Sequence, residues 1–126
     1  MHDLLIRGGT VVTASGPRKL GILVDDGRIT SLSTDEIDSD KAEQVIDAAG
    51  MIVVPGGIEP HAHIGGPRQP ERSGAEAVSK AALLGGTTTV LDFATQIPGY
   101  DLYHALEEAE ERWSGNAYTD YAYHPI

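Results

Sequence analysis

Beyond Pro55 the apolar residues fall into alternating strand and helix rhythms, and this alternation limits the fold more than any other feature. Ser73 followed by Glu76 fits a capping box, in which each side chain satisfies an orphan backbone N–H at a helix start. The helix so begun should run to Leu84 and stop at Gly85-Gly86, where glycine can take a left-handed cap. Thr87 to Phe93 (TTTVLDF) is β-branched and apolar without clean alternation, as in a strand buried on both faces. Asp101 is placed to cap a second helix with the apolar stripe Leu102, Ala105, Leu106, Ala109 and Trp113. Glu107, Glu108, Glu110 and Glu111 lie mostly round its other side. Gly115-Asn116 ends that helix, and Ala117 to Tyr123 resumes a strand. Strand, helix, strand, helix, strand is the pattern of a parallel α/β sheet. An eight-unit barrel takes roughly 250 residues, and about two and a half units are present here, so the chain cannot close one.

Residues 3 to about 50 read differently, as short strands broken by turns. Leu4-Leu5-Ile6, Thr10 to Thr13 and Leu20 to Val24 are apolar or β-branched and separated by Gly and Pro. Asp26-Gly27, between Ile22-Leu23-Val24 and Arg28-Ile29-Thr30, signals a tight hairpin. The acidic stretch Thr34 to Lys41 reads as a surface loop, and Val45-Ile46-Asp47 with Met51 to Val54 as a further strand pair. The domain expectation is therefore strands over 1–54 and β/α units over 55–126.

Hydrophobic residues make up 40% of the 126 and charged residues 22%, an ordinary globular balance. A net charge of −10 argues against nucleic acid or an anionic membrane as partner. The absence of cysteine removes disulfides, thiolate metal sites and thiol catalysis together. The longest apolar runs are too short to cross a bilayer, and Met1-His2-Asp3 lacks the features of a signal peptide, so a cytoplasmic location is expected.

The stretch richest in chemistry is Pro55-Gly56-Gly57-Ile58-Glu59-Pro60-His61-Ala62-His63. Alternate side chains of a strand share a face, so His61 and His63 point the same way, roughly 6–7 Å apart at their backbones. That lets both imidazoles converge on one ion, and imidazole suits zinc and other borderline metals. The preceding strand ends here, and ligands of α/β folds gather outside the carboxyl ends of strands. A bare His-x-His is more often two structural histidines; the strand context and the glycines before the pair favour the metal.

PGGIEPHAH, AALLGGTTTVLDFA and TDYAYH together resemble the cyclic amidohydrolases, on the branch of dihydropyrimidinases and hydantoinases, across essentially the whole chain. The first motif belongs to the wider superfamily, including dihydroorotases and allantoinases, whereas the DFA and DYAYH segments tilt towards hydantoinases. The resemblance implies a (β/α)8 TIM-like barrel flanked by a small β-sandwich to which residues 3–54 contribute. It implies a two-metal site, usually zinc with manganese as the alternative, that activates water to open a cyclic amide, with His61 and His63 as first-strand ligands. It implies a small-molecule substrate and, for the complete protein, a homo-oligomer. The family's carboxylated lysine, two further histidines and catalytic aspartate come from later strands. None of Lys19, Lys41 and Lys80 stands at the end of a barrel strand, so an N-terminal fragment inactive by itself is expected. No catalytic residue is assigned within it.

Glu59 shares a face with His61 and His63 by alternation, and a supporting or structural role is expected rather than ligation. Asp92, in a buried strand, must be paired. His124 ends the third strand, within reach of the pocket but read as structural; His104 and His2 are expected in solvent. Tyr118, Tyr121 and Tyr123 are read as strand packing. The segment Ile64 to Gly74 (IGGPRQPERSG) is short, polar and glycine-rich where hydantoinases usually carry a longer apolar loop, which leaves substrate preference open. An allantoinase- or dihydroorotase-type hydrolase is the alternative, as is a non-catalytic assembly protein; relatives of that last kind typically lose the metal histidines.

Overall fold

A computed structural model of the chain describes residues 1–66, 69 and 71–126, and divides into two compact units, Met1–Pro55 and Gly56–Ile126. Pro67, Arg68 and Pro70, within the loop read above as bearing on substrate preference, lie outside the described residues.

The first unit holds β1 (His2–Arg7), β2 (Thr10–Thr13), β3 (Gly16–Lys19), β4 (Gly21–Asp25), β5 (Arg28–Ser33), β6 (Ala42–Asp47) and β7 (Ile52–Val53). They form a four-stranded sheet in the order β5-β4-β1-β6 and a three-stranded sheet in the order β3-β2-β7. The expected hairpin joins β4 to β5: Asp26 and Gly27 both have positive φ, 49° and 70°, as a two-residue primed turn requires. Val11 of β2, Ile22 of β4 and Leu20 form a buried cluster with Ile6, Val24 and Val53 against it, so one core draws on both sheets. Leu5, Leu23 and Ala42 form a second cluster, covered by Ile37. The stretch Thr34 to Lys41 is therefore not wholly a surface loop, since it donates Ile37 to a core and contains a 3₁₀ turn at Ser39–Lys41. Nor do β6 and β7 pair with each other. Both run parallel to earlier strands, β6 to β1 and β7 to β2.

The second unit runs β8 (Gly57–Ala62), α1 (Ala75–Leu84), β9 (Thr87–Ala94), α2 (Leu102–Trp113), β10 (Asp120–Pro125). Its three strands are parallel, in the order β10-β9-β8. The first of them begins only at Gly57, after the apolar run Met51 to Val54 has ended. Ile52-Val53 belongs to the other unit, and Val54 to Gly56 separate the two strands. The last strand begins at Asp120 rather than Ala117 and continues to Pro125. Val90, Asp92 and Ala94 of β9 are buried, while Thr89, Leu91 and Phe93 are only half-buried. Burial on both faces was expected; both helices instead cover one face, through clusters containing Trp113 and Ala75 around Val90, and Ala105 and Ala109 around Ala94.

Helix α2 is capped as expected, the Asp101 carboxylate accepting from His104 N at 2.9 Å. The capping box at Ser73 and Glu76 does not form. The N-cap of α1 is Gly74, without a side-chain cap, and Ser73 stands one residue too early. Its carbonyl accepts from Gly65 N at 2.8 Å instead. Gly85 caps α1 at its other end and Gly86 takes φ +85°.

Candidate metal centre

The glycines before the histidines let β8 lie against β9. A Cβ on Gly56, just before β8, would collide with the side chain of Thr88, so a larger residue there would force the chains apart. Gly57 N then donates to Gly86 O at 2.8 Å and fixes where β8 begins.

Strict alternation fails further along. Glu59 is in register with Val90 and Ala62 with Asp92, so three steps along β8 match two along β9. Pro60 and His61 are left without register partners, the signature of a β-bulge. Val90 and Asp92 point toward the helices, so Glu59 and Ala62 lie on that side. His61 and His63 flank Ala62 and project from the opposite face, against Phe93. Glu59 therefore does not share their face, contrary to simple alternation. Its Oε1 accepts from His61 N at 2.9 Å, a local structural bond.

His61 is the penultimate residue of β8 and His63 directly follows the strand, with Nε2 atoms 3.3 Å apart. Two ligands at the usual 2.0–2.1 Å from a tetrahedral zinc would be separated by about 3.3 Å, so the donors fit such an ion. Both rings rest on Phe93: His63 is stacked on it, with centroids 4.7 Å apart and planes at 10°, and His61 is tilted at 4.6 Å. Among the described residues no group of three or more His, Cys, Asp or Glu converges on a common point.

Asp92 lies behind the pair and is 1% exposed. Its Oδ1 accepts from Ile64 N at 3.3 Å and Phe93 N at 2.8 Å. Its Oδ2 accepts from Trp113 Nε1 at 3.0 Å and Arg112 at 3.3 Å. The buried charge is paired, and it ties the residue after His63 to the last turn of α2. A cavity of about 210 Å³ beside it is lined by His63, Asp92, Phe93, Ile97, Glu108 and Arg112.

The other candidates separate cleanly. His124 is in register with Phe93 and its Nε2 lies 3.0 Å from Pro60 O. His104 stacks on Tyr100 at 4.2 Å and lies 3.6 Å from Glu108, and His2 bonds Asp25 at 2.8 Å, so neither is simply in solvent. The hydrogen bond from His2, then that from Thr30, holds the Asp25 carboxyl below its ordinary range. Lys19 donates to Gly8 O, Lys41 lies 3.9 Å from Asp38, and Lys80 sits 5.9 Å over the Tyr118 ring. Tyr121 and Tyr123 pack on the helix side and donate to the two oxygens of Glu110, at 3.1 and 2.9 Å. Sequence reasoning missed Phe93 as the platform beneath both imidazoles. One signal was available: Phe93 is the chain's single phenylalanine and, next to buried Asp92, must face the other way.

No protein-family model matches the chain. A D-hydantoinase of Streptomyces coelicolor is 39% identical, covering 97% of this chain and 27% of that protein. A dihydropyrimidinase of Rattus norvegicus is 36% identical, covering 96% and 24%. The crystal structure of dihydropyrimidinase from Brevibacillus agri superposes with a TM-score of 0.86 at 36% identity, over 98% of this chain and 27% of that one. The chain spans about a quarter of the length of the relatives it matches. By sequence and by fold, over nearly its entire length, it belongs to the dihydropyrimidinase and hydantoinase branch of the cyclic amidohydrolases.

Proposed function

We propose that this chain supplies the first two metal ligands of a hydrolase that opens a cyclic amide, a dihydropyrimidine or hydantoin ring, to an N-carbamoyl amino acid. The observation that carries the reading is the 3.3 Å approach of His61 Nε2 and His63 Nε2 at the carboxyl end of β8. That is the end of a strand where active sites of β/α barrels assemble. In the same reading Met1–Pro55 belongs to a small β-sandwich and Gly56–Ile126 to the first units of a (β/α)8 barrel. Three sequential parallel strands with intervening helices support the second assignment. A cytoplasmic location and a homo-oligomeric complete protein form part of the proposal; no helix among the described residues is long and apolar enough to cross a membrane.

Divalent zinc, or manganese, would supply Lewis acidity and a water of lowered pKa. The residues of the chain prepare for it. With Nε2 directed at the ion, each imidazole would bind as the neutral tautomer that carries its proton on Nδ1. Phe93 packs against both rings and restrains their planes. Asp92 holds the backbone on which His63 sits.

The test is a chimera in which this chain replaces the matching quarter of the Streptomyces coelicolor D-hydantoinase. Turnover of hydantoin or dihydrouracil should depend on added zinc or manganese, and His61→Ala or His63→Ala should lower bound metal and turnover together. A folded double variant with undiminished metal content would refute the assignment.

A further inference from the structure

The bulge in β8 leaves the backbone at Pro60 and His61 without register partners in β9, immediately before the proposed ligands. Two side chains occupy those backbone groups. Glu59 Oε1 accepts from the His61 N–H at 2.9 Å. His124, on β10, lies beyond β9 from β8, yet its Nε2 stands 3.0 Å from the Pro60 carbonyl. A carbonyl only accepts, so the proton is on His124 Nε2 and His124 is the donor. The His124 ring crosses at the level of Phe93, 5.1 Å away, on the face that carries His61 and His63.

We infer that His124 and Glu59 are positioning residues that clamp the β8 bulge and so hold His61 at the angle where its Nε2 meets that of His63. An unbulged β8 would return to simple alternation, in which the register of Glu59 with Val90 puts His61 on the helix side, facing away from Phe93. Proline at position 60 favours the irregularity, because it has no N–H to offer a ladder and is confined to edges and bulges within sheets. It cannot fix the direction of its own carbonyl. That is left to His124.

The inference rests on the metal reading above, and its test separates the two. Zinc affinity of the full chain is measured by competition with a chromophoric chelator, with far-ultraviolet circular dichroism as a check of folding. Loss of a side chain that orients a metal ligand typically lowers affinity by about 10- to 100-fold, and a fall in that range is expected for His124→Leu and Glu59→Ala. His124→Gln presents an amide N–H near the position of Nε2, and Glu59→Gln keeps a carbonyl acceptor; both should restore most of the affinity. Wild-type affinity in a folded His124→Leu or Glu59→Ala chain overturns the clamp. So does a loss as large in His124→Gln as in His124→Leu. Should His124→Leu fail to fold, the Glu59 variants and His124→Gln decide by the same criteria. Wild-type affinity in His61→Ala overturns the metal reading itself, whatever the clamp does.

Discussion

A carboxylate that is 1% exposed survives only because four donors surround it, and those at Asp92 come from three parts of the unit. Asp92→Ala would leave the Arg112 guanidinium, the Trp113 indole N–H and the Ile64 amide short of their acceptor. Removing one partner of such a buried pair costs about 3 kcal/mol or more, and urea unfolding should show a loss of that order. A loss under about 1 kcal/mol, the range of a surface ion pair, would mean that the carboxylate is not holding these groups. That Asp92 must be paired was legible from its place in an apolar strand; its partners were not, because Arg112 and Trp113 lie some twenty residues away on another element. That His61 and His63 share a face was legible from their spacing, since only Ala62 separates them; reading them as ligands drew on the strand context and the glycines before the pair. Glu59 was misplaced because counting residues cannot reveal an inserted one, although Pro60 in mid-strand was its warning.

At the scale of elements, the pairing of β10 with α2 has its own pH signature. Burial, then hydrogen bonding to Glu110, raises the phenol of Tyr123 well above its ordinary value, and the same causes raise Tyr121. A folded pKa above the unfolded one contributes stability that is complete below the ordinary phenol value of about 10. That contribution is lost as pH rises through the folded values. Alkaline spectrophotometric titration should therefore find two of the five tyrosines ionising later than free tyrosine, with stability declining above pH ~10. Both phenols titrating at the free value would contradict the Glu110 contacts. Asp101→Ala should cost α2 about 1 kcal/mol through its lost cap, whereas Ser73→Ala should be nearly neutral, since no box forms there. The helices and β9 were readable within a residue or two because caps, glycine stops and apolar stripes are local signals. The beginnings of β8 and β10 were not. The apolar run at Met51 to Val54 looks like the start of the first parallel strand, and only the pairing of Ile52-Val53 with β2 assigns it to the other unit.

For the molecule as a whole, two histidines are short of the three protein ligands that a catalytic zinc normally needs, and the described residues bring no third to them. The 126-residue chain should accordingly bind zinc weakly and show no metal-dependent hydrolysis of dihydrouracil or hydantoin above a His61→Ala, His63→Ala control. Turnover above that control would mean that the pair suffices. The parallel unit was legible as a class from rhythm alone. Its family became legible from motifs, and homology to a quarter of larger enzymes agrees with that reading. The most direct measurement follows the imidazole nitrogens themselves, by long-range proton–nitrogen NMR of the labelled chain during a zinc titration. The Nε2 resonances of His61 and His63 should move together and saturate together, while those of His2, His104 and His124 stay in place. Zinc binding that leaves the His61 and His63 nitrogens unmoved, or shifts only one of them, would contradict the metal centre.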